Sequence, residues 1–261
     1  WNYRFGGTMA SEKSQAIIIR LVEFSESSCV VTMFTRDFGK IGALAKGARR
    51  PKSPFESALD LLALCRIVFL HKSSDALDLL TEAKLERRFR AATGSLPHLY
   101  AGYYVAELIN ELTHTGDPHP ELFDVANQTI HALDAMASPL RTISNFEIKA
   151  LQLLGHFPSL RSCSSCGVDI EKAKRVPFGQ LSGGVLCPGC RVGRTKVIGI
   201  SSEVLETMIT LSETATADVN DVISPRVLGE LRGLLNNYIA HLLGKRPRLH
   251  KFMSQMATAD A

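Results

Sequence analysis

The spacing of apolar and polar residues changes about one third of the way along the chain. Up to residue 85 the apolar runs are short and rich in β-branched residues, a pattern typical of strands. Strands are predicted at residues 16–22, 29–35, 41–46, 59–70 and 77–85. Five short strands, with no helical period between the first three, predict a small closed barrel such as an OB-fold.

Beyond residue 85 the apolar residues recur with the 3.6-residue period of amphipathic helices. Val105, Leu108, Ile109 and Leu112 fall on one helical face after Pro97. Further helices are predicted around residues 123–133, 143–153, 203–211 and 224–243. Between the third and fourth helices the period is interrupted by a cysteine-rich segment.

The predicted fold class is therefore α+β with several domains: an N-terminal five-stranded OB-fold barrel, then an α-helical domain with an inserted four-cysteine zinc module. The helical domain resumes after the insertion. The predicted boundaries are 1–8 for an unassigned extension before Met9, 9–84 for the barrel, 85–159 and 193–256 for the two helical parts, 160–192 for the zinc module and 257–261 for a tail.

Four of the six cysteines form two closely spaced pairs, Cys163 with Cys166 and Cys187 with Cys190. Each pair has two intervening residues, and twenty residues separate the pairs. This spacing is typical of a four-thiolate zinc site in which a short hairpin brings the second pair to the first. Disulfides or a thioredoxin-like redox pair are the alternatives, but nothing indicates an oxidising compartment or the strand–helix context. We predict one structural Zn²⁺.

A catalytic zinc site is the less favoured interpretation. His119-Pro120-Glu121 matches the H-x-E of zinc deaminases, but Ser162 and Leu186 stand where those enzymes have proline before a cysteine pair. Pro120 fits the first turn of a helix, and four thiolates leave no open coordination position for water. The remaining cysteines, Cys29 and Cys65, lie in apolar runs and are predicted to be buried.

The positive charge is concentrated in one short segment. Lysine and arginine number 30 against 26 acids, and five of these cations lie between Phe38 and Pro54 with no acid among them. Such a patch would attract a polyanion, although a solvated loop without a partner is the competing interpretation. The predicted DNA-binding residues are Lys40, Lys46, Arg49, Arg50, Lys52, Arg87 and Arg88. Phe34 and Phe38 are candidate base-stacking residues, with core positions as the alternative.

Two other groups of cations are weaker candidates. One decorates the predicted zinc module: Lys172, Lys174, Arg175, Arg191 and Arg194. The other follows the last helix and could equally interact with its negative end: Lys245, Arg246, Arg248 and Lys251.

Several classes of protein are excluded or disfavoured. Hydrophobic residues make up 45% and charged residues 21%, an ordinary soluble composition. Asp60 and Arg66 interrupt the longest apolar run, so a membrane span is not predicted. No Walker motif, dinucleotide-binding glycine pattern or nucleophile elbow is present, and we predict no enzymatic activity.

Three stretches of the sequence resemble one family. They read V-T-M-F-T-R-D-F-G-K-I-G-A-L-A-K-G-A-R-R-P-K-S from Val31, F-E-I-K-A-L-Q-L-L-G-H-F-P from Phe146 and, around the cysteines, C-S-S-C-G and G-G-V-L-C-P-G-C. In this order they resemble the RecO family of bacterial recombination mediators, over residues 16–252. The four-cysteine module occurs in many but not all members.

The resemblance implies a function in repairing DNA double-strand breaks and gaps. It implies binding of single- and double-stranded DNA, annealing of complementary strands, and action with RecR and the single-stranded-DNA-binding protein (SSB) to load the RecA recombinase. It places the protein in the cytoplasm at the nucleoid. The alternative is a zinc-ribbon interaction protein, associated with RNA or the ribosome, that anneals nothing.

Overall fold

The computed structural model describes residues 10–50, 53, 55, 58–71, 76–91, 94–171, 173–214 and 223–253. The predicted extension 1–8, the tail 257–261, Lys52 and Lys172 lie outside the described residues. The described residues form two compact units. The first comprises those up to Gly94 together with Ala106–His131, and the second comprises Ser95–Val105 together with those from Ala132 onward.

The first unit is built on a five-stranded barrel. The strands are β1 (Ala10–Glu23), β2 (Cys29–Thr35), β3 (Gly39–Ala45), β4 (Leu64–His71) and β5 (Asp78–Arg87). They pair in the order β1-β2-β3-β5-β4, and β4 returns to β1 and closes the barrel. The β3–β5 pairing is parallel and spans only three residue pairs, so it is the narrowest seam. The predicted five-stranded barrel is confirmed.

Strand β1 begins six residues earlier than its apolar run predicts. Its polar first half pairs with β4 from Ala10↔His71 to Ile17↔Leu64, and its second half pairs with β2. The register with β2 shifts between Ile18 and Arg20. The strand is extended by its pairing with β4 and not by the strand propensity of its own residues. A local sequence pattern cannot predict such a contribution.

Alternate residues of β2 and β3 fill the barrel interior. Val31, Met33, Ile41 and Ala43 belong to its buried cluster. Because successive side chains of a strand point to opposite faces, the residues between them face outward. The outer face of these two strands is therefore the one that can contact a ligand, another element or solvent.

Five of the six helices in the described residues agree with the predicted periodicity, and the short helix at residues 188–191 was not predicted. They are α1 (Leu96–Leu112), α2 (Pro120–Asp134), α3 (Pro139–Leu153), α4 (Pro188–Arg191), α5 (Ser202–Glu213) and α6 (Pro225–Leu242). Ser201 and Ser224 cap α5 and α6 by accepting hydrogen bonds from backbone amides. Pro120 begins α2, as predicted. None of the described helices is long and apolar enough to span a membrane.

The second unit contains a fully buried ion pair between α3 and α6. The guanidinium of Arg232 contacts the carboxylate of Glu147, and their side chains are 1% and 0% exposed. Glu147 also accepts a 2.6 Å hydrogen bond from the Tyr104 hydroxyl, and Arg232 donates a 2.7 Å bond to Asn236. Burial is the main reason that the pKa of Tyr104 lies well above its usual value, so the phenol stays protonated and donates.

The cysteine-rich segment contributes to a three-stranded sheet. β6 (Arg175–Gly179) lies between β7 (Gly184–Val185) and β8 (Val197–Ser201), and both pairings are antiparallel. The β6–β7 pair is the short hairpin that the cysteine spacing predicts. β8 follows the predicted end of the zinc module at residue 192 but belongs to the same sheet.

We expect Arg232→Met to lower the free energy of unfolding by roughly 3–5 kcal/mol, because it leaves the Glu147 carboxylate buried without its cation. The double variant Arg232→Met/Glu147→Leu should recover much of this loss. Denaturant unfolding measures both values.

The matched control is Arg226→Ala, which removes an ion pair with Glu203 whose side chains are 68% and 56% exposed. Its expected cost is about 0–1 kcal/mol. Equal losses from Arg232→Met and Arg226→Ala would contradict this account of the buried pair.

Candidate metal centre and nucleic-acid interface

The first cysteine pair lies in a tight turn. The Cys163 amide donates to Val168 O at 2.7 Å, and the Gly167 amide donates to Cys163 O at 2.8 Å. Gly167 has a φ of 75°, a left-handed conformation that glycine adopts without strain. The Ser164 amide donates to Val185 O, which attaches this turn to β7.

The second pair lies at the start of α4. Cys187 is the N-cap residue, and Pro188 and Cys190 lie in the helix that follows. The hairpin of β6 and β7 returns the chain to the first turn, where the Val185 amide donates to Ser159 O at 2.9 Å. Backbone hydrogen bonds therefore fix the position of both pairs.

The four sulfurs meet in one cluster with the dimensions of a tetrahedral metal site. All four lie within 4.8 Å of one another, and Cys166 Sγ and Cys187 Sγ are 3.8 Å apart. A tetrahedron with Zn–S bonds of about 2.3 Å requires sulfur–sulfur distances of about 3.8 Å. None of the six cysteines is in a disulfide, which removes the disulfide alternative for this structure. The predicted cluster is confirmed.

Hydrogen bonding gives the thiols of the cluster different acidities. Backbone hydrogen bonds, the largest contribution coming from Cys187, lower the pKa of Cys163 to about 6. Hydrogen bonds with the sulfurs of Cys166 and Cys187 are the main cause that raises the pKa of Cys190 to about 12. Cys163 thus offers a thiolate at neutral pH, and a bound divalent cation would displace the proton of Cys190. Cys29 and Cys65 are buried, as predicted.

Three of the predicted DNA-binding cations form an exposed group after the end of β3. Lys46, Arg49 and Arg50 are exposed and lie within five residues. The Arg50 amide donates to Gly47 O at 3.0 Å, and Gly47 has a φ of 69°. We call Lys46–Arg50 the basic turn.

The basic turn is attached to the loop between β1 and β2. The Gly47 amide donates to Ser28 Oγ at 3.2 Å, and the Arg49 amide donates to Ser27 O at 3.1 Å. The Arg49 guanidinium lies 3.1 Å from the Glu23 carboxylate, and both side chains are largely exposed. An ion pair of this kind is weak, so a phosphate group could compete for the arginine.

Lys40 does not belong to this group, although it was predicted with it. Its ammonium donates to Asn110 O and Thr113 O, at 2.5 and 2.7 Å, at the C-terminal end of α1. Burial lowers the pKa of Lys40, and the carboxylate of Glu111 offsets this in part. These contacts occupy the ammonium within the fold, since the last carbonyls of a helix have no partner inside it.

The two arginines at the end of the barrel lie in different surroundings. Arg87 is partly buried and donates to the Asn127 carbonyl oxygen at 3.1 Å and to the Asn127 side chain. Arg88 is exposed. The predicted DNA-binding residues therefore do not form one surface. Lys46, Arg49 and Arg50 of the basic turn are exposed together, whereas Lys40 and Arg87 bond within the fold.

The structure places both candidate stacking residues in contacts within the fold, which is the core alternative that the sequence left open. Phe34 is 0% exposed and packs against Phe123 of α2, with ring centroids 6.0 Å apart. Phe38 is partly buried and contacts the edge of Phe69, with ring centroids 5.3 Å apart. The alternation of β2 places Phe34 outside the barrel interior, but α2 covers it there.

Sequence reasoning missed two exposed residues of β1 and the loop that follows it. Arg20 lies opposite Thr32 on the outer face of the barrel, and Phe24 is the first residue of the loop. The bonds from the basic turn to Ser27 and Ser28 attach it to the loop that contains Phe24. A local sequence pattern does not reveal this connection.

The cations of the predicted zinc module are exposed where the structure describes them. Arg194 donates to Ser165 Oγ at 3.0 Å, and Arg175 contacts Glu230 at 3.4 Å. Lys174 and Arg191 are also exposed. Two of these four cations thus have partners within the second unit.

Comparison with known proteins identifies one family across the chain. Residues 9–89 match the family described as "Recombination protein O N terminal", and residues 94–251 match "Recombination protein O C terminal".

Three similar proteins carry the name "DNA repair protein RecO". The one from Rhodopirellula baltica is 40% identical, over 91% of this chain and 97% of its own length. The protein from Myxococcus xanthus is 32% identical, over 92% and 96%. That from Anaeromyxobacter dehalogenans is 30% identical, over 95% and 98%. The barrel, the helices and the four-cysteine cluster accompany these matches, and the chain belongs to the RecO family of DNA repair and recombination proteins.

Proposed function

We propose that this protein is a recombination mediator that binds single- and double-stranded DNA, anneals complementary strands and helps to load a recombinase onto SSB-coated DNA. The observation that carries the proposal is the exposed basic turn, fixed by hydrogen bonds at one end of a five-stranded barrel. In OB-folds, oligonucleotides bind to the face of strands 2 and 3 and to the loops beside it. The basic turn follows the third strand directly.

The affinity for DNA would come from phosphate contacts. Lys46, Arg49 and Arg50 could neutralise about three phosphates, so log K for a single strand should fall with log salt at a slope of about −2. Contacts of this kind carry no sequence information, which suits a protein that must act on any broken DNA.

Annealing needs no covalent chemistry, and we propose that the protein is not an enzyme. Two complementary strands repel each other through their phosphates, and a cationic surface reduces that repulsion while the bases find their register. We propose that the partners are RecR, SSB and, indirectly, RecA. With these partners, SSB on the DNA would be replaced by the recombinase. The reaction would take place in the cytoplasm at the nucleoid.

We propose that the four-cysteine cluster holds one Zn²⁺ with a structural function. Cys163, Cys166, Cys187 and Cys190 would supply all four ligands, leaving no open position for a substrate. The metal would stabilise this segment, because one edge strand of its sheet, β7, has only two residues. Metal binding of this kind contributes directly to the free energy of folding.

Reversing the charge of the basic turn tests the central proposal. Arg49→Glu/Arg50→Glu should abolish annealing and reduce the slope of log K against log salt by about 1.4, because two phosphate contacts are lost. Fluorescence anisotropy with a labelled oligonucleotide gives the slope, and an assay with SSB-coated complementary strands gives the annealing rate.

The matched control is Lys13→Glu/Lys84→Glu, which makes the same change in net charge at exposed positions of β1 and β5. It should leave annealing nearly unchanged. If the two double variants lose equal activity, or if the unaltered protein does not bind DNA at low salt, the alternative of a zinc-ribbon protein that anneals nothing is favoured.

Lys40 and Lys46 should behave in opposite ways when each is changed to glutamine. Lys40→Gln is expected to lower the free energy of unfolding by about 1–3 kcal/mol, since two carbonyls at the end of α1 lose a charged donor. Lys46→Gln should change stability by less than about 0.5 kcal/mol and reduce the salt slope by about 0.7. If Lys40→Gln also reduced the slope of log K against log salt, Lys40 would contact DNA and this assignment would be wrong.

The metal is tested by elemental analysis of the purified protein. We expect one zinc ion per chain, and its loss in Cys163→Ser/Cys187→Ser together with increased proteolysis between residues 160 and 200. Cys29→Ala/Cys65→Ala is the control and should keep the metal, because neither thiol lies in the cluster. Full zinc content in the serine variant would contradict the assignment of ligands.

A further inference from the structure

Phe24 is the first residue of the loop between β1 and β2 and is 65% exposed. The other strongly exposed phenylalanine among the described residues is Phe252, which is 37% exposed and stacks on Tyr100. A single exposed apolar side chain is ordinary in itself. The surroundings of Phe24 give it significance.

The loop that carries Phe24 is ordered by its own hydrogen bonds. The amides of Phe24 and Ser25 both donate to Ser28 O, at 3.0 and 3.2 Å. The same loop accepts the bonds from Gly47 and Arg49 that attach the basic turn. The backbone segments that carry the ring and the cations therefore belong to one hydrogen-bonded substructure.

An apolar strip leads along the barrel surface to Phe24. Val22 pairs with Val30, and Val30 pairs with Leu44, so these three side chains form one row across β1, β2 and β3. Val22 is 42% exposed. The inward-facing neighbours of this row, Cys29 and Val31, belong to the barrel core, so the row itself faces outward.

Cations lie on both sides of this apolar strip. Arg20 is exposed on β1, two residues before Val22, and the basic turn follows β3. An exposed ring and an apolar strip beside exposed cations fit a ligand that has flat apolar faces and a charged backbone. Single-stranded DNA has both, since its bases can stack on an aromatic ring while its phosphates contact cations. In a duplex the faces of the bases are already stacked.

We propose that Phe24 is a base-stacking residue that makes the barrel surface prefer single-stranded over double-stranded DNA. This inference rests on the proposed DNA binding of the basic turn, and it adds the group that distinguishes the two forms. The cations contact phosphates in either form, and the ring contributes only when an unpaired base is available.

The test compares three oligonucleotides of equal length: oligo-dT, a blunt duplex, and a strand of abasic sugar-phosphate units. Phe24→Ala should weaken binding of oligo-dT about tenfold, within the range expected for the loss of one base–aromatic stack. It should change binding of the duplex and of the abasic strand by less than about twofold, with an unchanged salt slope, because the phosphate contacts remain.

Two further variants separate stacking from a general loss of apolar surface. Phe24→Tyr keeps an aromatic ring and should retain the affinity of the unaltered protein, whereas Phe24→Leu should resemble Phe24→Ala. Leu181→Ala, at a 51% exposed position of the zinc module, is the control and should change nothing. Thermal unfolding of each variant shows whether the loop change affects the fold.

A fluorescence measurement detects the contact directly. The chain has one tryptophan, Trp1, so Trp1→Phe/Phe24→Trp places the only indole in the loop. Its emission should be quenched by oligo-dT and not by the abasic strand.

The outcomes distinguish this inference from the proposed function. If the unaltered protein binds none of the three oligonucleotides, the proposed DNA binding fails. If it binds them and Phe24→Ala has no effect, or weakens all three equally, DNA binding stands and stacking by Phe24 is wrong.

Discussion

The ammonium of Lys40 donates to two carbonyl oxygens at the C-terminal end of α1, and this contact joins the helical connection to one end of the barrel. Two neighbouring interactions strengthen the junction. Arg36 forms a bidentate ion pair with Asp124. Gly39 also lies so close to the backbone of Asp117 that a Cβ atom at this position would be 2.0 Å from Asp117 O. The turn between β2 and β3 is therefore partly covered by the helical connection, whereas the basic turn at the opposite end of these strands is exposed.

The opposite end of β2 and β3 carries the groups that a nucleic acid requires. The basic turn and the β1–β2 loop share hydrogen bonds, so their cations and the ring of Phe24 are presented together. The four-cysteine cluster lies in the other unit and orders a small sheet. The two features therefore belong to different units: the exposed cations of the basic turn lie in the first, and the four candidate metal ligands lie in the second.

Most of the fold could be predicted from local patterns, because strand alternation, helical period and cysteine spacing each report the environment of a side chain directly. The functional surface could be predicted only in part. The charge pattern contains both Lys40 and Lys46 but cannot show that a helix end binds the first and leaves the second exposed. Similarly, the strand pattern contains Phe34 but cannot show that α2 covers its outward-facing ring, and it gives no sign that Phe24, between two strands, is presented beside the basic turn.

The most direct test of this account is hydrogen–deuterium exchange of the whole protein with and without a saturating single-stranded oligonucleotide. Amides in the β1–β2 loop and the basic turn should become protected, and those in the covered turn between β2 and β3 should not change. Protection of the β2–β3 turn, with the basic turn unaffected, would contradict the claim that the free end of the barrel is the DNA-binding surface.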